Sequence, residues 1–239
     1  MRLPSPSSLP RRAALPLLLS LPLLLSLPLM LSLPLWLAPA AGAAQPPGAS
    51  AAPVASASAP AQAKPLLLHG VSVPRSAQVG STRLVLNGAG TRYFLIFKVY
   101  VAELYLPRPT HSANEALGMN GPKLLRLVML RDVSGKELGD KLTEDIKHNV
   151  PAADFATMIT GLARMGGLFA DRHELHEGDV VELTDVPGQG MRISINGQTE
   201  GAPYADANFF DNLLRVWLGP RPAETRLKKA LLGRFDDAS

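Results

Sequence analysis

Arg92 is the residue of this 239-residue chain whose type and setting point most directly to chemistry. It follows the turn-rich stretch Asn87-Gly88-Ala89-Gly90-Thr91 and opens an apolar run, sharing strand parity with Phe94 and Ile96. On an inward strand face a guanidinium needs an anionic or carbonyl partner, and its planar fork suits a carboxylate or phenolate. On an outward face it is an ordinary strand-end arginine that reaches solvent or pairs with an acid. Other spacings exclude chemistry. His173-Glu174-Leu175-His176 sets its histidines three apart ahead of a turn, whereas a zinc-protease helix needs them a full turn apart, so a solvated polar loop and no metal site is expected. Gly88-Ala89-Gly90 lacks the third glycine and the following helix of a dinucleotide loop, and there is no Gly-x-Ser-x-Gly elbow. The absence of cysteine excludes disulfides, thiolate metal sites, a cysteine nucleophile and an acylated lipoprotein cysteine.

The elements that must position Arg92 are legible from periodicity. Leu66 to Pro74 reads as one or two short strands and Arg83 to Leu86 as another, which stops at the glycine-rich stretch. Arg92–Lys98 and Val99–Leu106 are rich in β-branched and aromatic residues and read as adjacent or bent antiparallel strands that end at Pro107. A short helix is predicted from Ser112 to Leu117, and a strand from Lys123 to Arg131. Ser134-Gly135-Lys136-Glu137 fits a capping box, and Leu138, Leu142 and Ile146 make one buried stripe of a helix to about His148. A second helix from about Asp154 carries Phe155, Met158, Ile159, Leu162 and Met165 on its apolar face, with a last turn loosened at Gly166-Gly167. Strands at Val180–Leu183 and Met191–Ile195 follow, and Asn196-Gly197 is a hairpin signal. Phe210, Leu213, Leu214 and Trp217 mark a third helix ended by Gly219-Pro220, and Leu227, Leu231 and Leu232 a last one. Strands first, then helices, imply an α+β fold with an antiparallel sheet and helices on one face.

Charge is unevenly spread. Residues 1–44 hold Arg2, Arg11 and Arg12 and no acid, so the net charge of +4 falls to +1 without them. Near neutrality and no basic stripe interleaved with aromatics argue against a nucleic-acid partner. Arg11-Arg12, the apolar Leu/Pro/Ser repeat to Leu37 and the small residues Ala38–Ala44 compose a secretory signal cleaved after Ala43 or Ala44; an uncleaved membrane anchor is the alternative. Residues 45–64 are an Ala/Pro/Ser-rich tether unable to form a core, and residues 65–239 are one domain. Secretion across an inner membrane to the periplasm follows, with no stable membrane span once the leader is removed.

Leu84 to Arg92, with Gly88-Ala89-Gly90-Thr91-Arg92 at its centre, and then Val99 to Leu106 resemble the Gly-Ala-Gly-x-Arg segment and the following strand of the chalcone isomerase family. Arg126-Leu127-Val128-Met129, Ser134-Gly135 and Lys141-Leu142-Thr143-Glu144 keep step with it. The ending Val216 to Pro222 and Leu227 to Gly233 looks like the exported bacterial branch. The resemblance implies an antiparallel sheet layered with helices around a small-molecule cleft. In the plant enzymes that cleft closes a chalcone to a flavanone without a cofactor, and related non-enzymatic members hold a fatty-acid carboxylate. By this resemblance the anion-holding arginine is Arg92, a strand threonine falls on Tyr100, a basic strand residue has Arg131 nearby, a helix tyrosine falls on Leu138 and a helix asparagine on Asp145. Leu138 supplies no hydroxyl to polarise a ketone, and loss of one such donor costs on the order of a hundredfold in rate. The expected function is therefore binding of an acidic amphipathic molecule, a fatty acid or phenolic acid, through Arg92, Tyr100, Arg131, Leu138 and Asp145, with no cofactor. A cofactor-independent intramolecular lyase using Arg92 and Tyr100, and a non-catalytic scaffold with a filled cleft, are the alternatives.

Overall fold

Short strands β1 (Leu66–Leu68), β2 (Val71–Val73) and β3 (Ser76–Val79) lead into the long strands β4 (Thr82–Phe94) and β5 (Phe97–Leu106). Helix α1 (Ala113–Leu117), β6 (Lys123–Met129) and the two-residue β7 (Val133–Ser134) precede helices α2 (Gly135–Asn149) and α3 (Ala152–Asp171). The chain closes with β8 (Glu174–Leu175), β9 (Val180–Val186), β10 (Gly190–Ile195), β11 (Gln198–Tyr204), α4 (Phe209–Leu218) and α5 (Thr225–Leu231). The structure, a computed structural model, describes residues 64–206 and 208–234. The expected leader, and the expected tether up to residue 63, lie outside the described residues.

Seven strands form one sheet in the order β11-β10-β9-β6-β5-β4-β3, antiparallel throughout. The two-residue period decides what each face carries. From β5, Tyr100, Ala102, Leu104 and Leu106 join Leu125, Leu127 and Met129 of β6 under the helices, with Leu142 and Ile146 of α2, Met158 and Leu162 of α3, and Leu213 and Trp217 of α4. The opposite face is covered in part by the β1–β2 hairpin, where Val73 packs on Ala89 and Val101. This is the α+β architecture expected, with the main core between sheet and helices.

Four expectations are corrected. The stretch Asn87–Thr91 is not a turn but the middle of β4, so Arg92 stands near that strand's end rather than its start. The chain instead reverses at Leu95-Ile96, inside the predicted strand Arg92–Lys98. Helix α3 runs through Gly166-Gly167 to Asp171 and passes close to α2, where a Cβ at Gly139 would lie 3.4 Å from the Cα of Gly166. Met165 and Phe169, buried on either side of the glycine pair, hold that turn in the helix against the weak helix propensity of glycine. Ile159, assigned to the apolar face of α3, is exposed.

The face of β5 away from the helices holds a buried acid. Glu103 is fully buried; its Oε2 lies 2.6 Å from the Tyr105 hydroxyl and 3.7 Å from Arg126, while its Oε1 has no hydrogen-bond partner among the described residues. Burial raises the Glu103 carboxyl above its ordinary 4.5 more than these neighbours lower it. The folded state therefore favours the protonated acid, and Glu103's contribution to stability is lost as pH rises from about 4.5 through the raised value. Urea unfolding between pH 4 and 8 should show wild type losing stability relative to Glu103→Gln as pH rises. A pH-independent difference would show that the buried carboxyl does not titrate in this window.

Candidate ligand cavity between sheet and helices

Arg92 reaches the helix-facing side of β4 because a bulge between Leu86 and Gly88 resets the strand's alternation. Beyond it Gly88 faces Leu104, Gly90 faces Ala102 and Arg92 faces Tyr100 across the β4–β5 ladder. Two glycines on that face leave room for α5: a Cβ at Gly90 would lie 2.7 Å from the Ala230 Cβ. Seated there, α5 presents Glu224, the residue capping its start, to Arg92. Glu224 Oε2 accepts from the Tyr93 amide at 2.7 Å and from Arg92 Nη1 at 3.4 Å, and Nη1 also donates to the Tyr93 carbonyl at 2.5 Å. Both side chains are largely buried, so the pair is shielded from the screening that weakens surface ion pairs.

Both Arg92 bonds use Nη1. Nε and Nη2 have no hydrogen-bond partner among the described residues, and together they form the side of the guanidinium fork that grips a carboxylate. Tyr100, opposite Arg92, is buried, and its hydroxyl accepts from Trp217 Nε1 at 3.0 Å. Indole nitrogen only donates, so the phenol proton remains available. Burial pushes the Tyr100 phenol up to about 12, against the smaller opposing effects of Trp217 and Arg92, and keeps it a donor across the physiological range.

These two groups line a cavity of about 620 Å³, within the size range of small-molecule sites. Val99, Leu138, Leu142 and Val216 give it apolar walls. Arg131, Lys141 and Asp145 add charge, with Lys141 Nζ bonded to Asp145 at 3.1 Å. Arg131 makes no ion pair among the described residues; its guanidinium lies 5.4 Å over the Phe97 ring. The cleft is thus open rather than filled by side chains. His173-Glu174-Leu175-His176 lies across β8 and its flanking turns, with His176 paired to Asp132 and Glu174 on the exposed rim.

All five residues singled out from the sequence, Arg92, Tyr100, Arg131, Leu138 and Asp145, line this one cavity. Sequence reasoning missed Glu224 and the bond from Trp217. Glu224 offered no signal beyond an acid before a short helix, because its partner is 132 residues away. Trp217 reads as a core residue from its helical spacing, which it also is.

Among known proteins, the sequence pattern of the family described as chalcone isomerase-like matches residues 66–233. No curated protein matches the chain. Among solved structures, a fatty-acid binding protein from Arabidopsis thaliana is similar in fold, with a TM-score of 0.58 at 16% identity over 71% of this chain and 96% of that one.

Proposed function

The chain belongs to the chalcone isomerase-like family, and from that premise we propose that it binds an acidic amphipathic small molecule, a fatty acid or phenolic acid, with the acid group at Arg92 and the apolar body along Leu138 and Leu142. The observation that carries this reading is the unpartnered Nε–Nη2 side of Arg92 on the cavity wall, opposite a phenol whose proton is also uncommitted. A carboxylate there completes the hydrogen bonding of both groups, and hydrogen bonds to charged partners in a partly desolvated site are the stronger kind. Leu138, where a ketone-polarising phenol falls by resemblance, contributes only hydrocarbon, which favours holding a ligand over transforming one. The fatty-acid binding neighbour supports the ligand class by analogy of fold. The basic, apolar and small-residue composition of residues 1–44 supports export to the periplasm, in keeping with the exported bacterial branch.

Mass spectrometry of what leaves the purified protein on denaturation should find a fatty or phenolic acid, and the delipidated protein should rebind it at micromolar concentration. A delipidated protein that binds neither class at that concentration would overturn the reading.

A further inference from the structure

The β4–β5 turn exposes four consecutive large apolar residues: Phe94, Leu95, Ile96 and Phe97 are 57, 81, 83 and 52% accessible. Two-residue hairpin turns ordinarily use asparagine or glycine, because left-handed backbone strains a side chain with a Cβ. Here Leu95 occupies that conformation, at φ 54°. Neither local turn geometry nor solubility favours aliphatic residues at this tip. The tip also adjoins the cavity: Phe94 lines it, and Arg131, on its rim, lies over Phe97. Residues 92–101 contain no acid, and the exposed Lys98 follows the tip directly. The nearby Asp132 carboxylate is turned to the Glu177 amide and His176.

We propose that this hairpin tip inserts into the surface of a lipid bilayer with anionic headgroups, Lys98 and Arg131 lying at headgroup level, so that the cavity mouth opens onto the acyl layer. A tip of four apolar residues offers less than the roughly 800 Å² per partner of a stable protein interface, whereas aromatic and aliphatic side chains beside cations match the bilayer boundary. No helix among the described residues is long and apolar enough to cross a membrane, so the contact is a shallow one by the tip. Exchange of ligand with the acyl layer rests on the reading proposed above; docking itself does not.

The absence of cysteine allows a single probe. The full chain carrying Ile96→Cys, labelled with an environment-sensitive fluorophore, is mixed with vesicles of phosphatidylcholine and phosphatidylglycerol. A blue shift is expected there and not at Ser81→Cys, in the turn at the opposite end of β4, so that any contribution of residues 1–44 is discounted. Adding Leu95→Asp should raise the lipid needed for the same shift about tenfold. An unmoved probe, an equal shift at Ser81→Cys, or a shift that grows with protein concentration in the absence of vesicles overturns docking, the last in favour of a second copy. Fatty-acid uptake measured in parallel without vesicles separates the two readings. Uptake with an unmoved probe overturns docking alone, and a shifted probe without uptake supports docking and removes the ligand reading.

Discussion

Arg92→Ala is expected to weaken binding of a long-chain fatty acid to the delipidated protein by about ten- to a hundredfold, the effect of losing hydrogen bonds to a charged group. The fold should survive the change. Glu224 keeps its bond from the Tyr93 amide and is not sealed from water, so removing the cation does not strand a buried charge. Arg92→Lys retains the charge without the fork and should fall between wild type and alanine. Glu224→Gln tests the same geometry from the other side: the amide oxygen can still accept from Tyr93, while the negative charge that competes with the ligand is gone, so affinity should rise a few-fold. Below pH 10 affinity should show no tyrosine titration, because burial holds the Tyr100 phenol at about 12. Calorimetric titration of the three variants decides the matter. Affinity within twofold of wild type for Arg92→Ala would place the acid group elsewhere in the cavity.

What the sequence made legible, and what it concealed, follows from the range of the interactions. Helices α2 and α4 are announced by local signals: the Ser134–Glu137 cap, whose serine oxygen does accept from the Glu137 amide at 3.4 Å, and the Phe210-Leu213-Leu214-Trp217 stripe. The β4–β5 region is misread locally because its determinants are distant. Gly88 and Gly90 look like turn residues, yet they lie inside a strand because α5, more than 130 residues later, needs the space. Leu95 and Ile96 look like strand residues and form the turn, with Leu95 in the left-handed conformation that local propensity reserves for asparagine and glycine. The chemistry of Arg92 was visible from its residue type. Its inward direction was not, because a bulge at Asn87 sets the parity. Family resemblance supplied what periodicity lacked, drawing attention to Tyr100, Arg131, Leu138 and Asp145, while Glu224 could be found only in three dimensions.

Gly88→Ala is expected to be strongly destabilising, and it reports on the same seat that positions Glu224. The added methyl would run into the Ala230 carbonyl oxygen and lie 2.7 Å from that of Leu231. Both are backbone atoms of the last turns of α5, so no rotamer change relieves the contact. Nor can the helix end shift freely. Leu231's carbonyl accepts from Asn87 Nδ2 at 2.7 Å, and Asn87 Oδ1 in turn accepts from the Thr110 amide at 2.7 Å, both bonds buried. Lifting α5 therefore strains or breaks this bridge, and a loss of about 3 kcal/mol is expected. In a domain of this size that corresponds to a fall in Tm of roughly 6–12 °C. Gly90→Ala meets side chains instead, the Ala230 Cβ at 2.7 Å and the Leu227 Cδ1 at 3.1 Å. Adding Ala230→Gly should thus restore much of the stability lost in Gly90→Ala and none of that lost in Gly88→Ala. Equal rescue of both, measured by thermal melting, would mean that the two glycines serve strand conformation rather than the approach of α5. If the approach is what matters, the lifted helix also carries Glu224 away from Arg92, and ligand affinity of the folded Gly88→Ala protein should move in the same direction as that of Glu224→Gln.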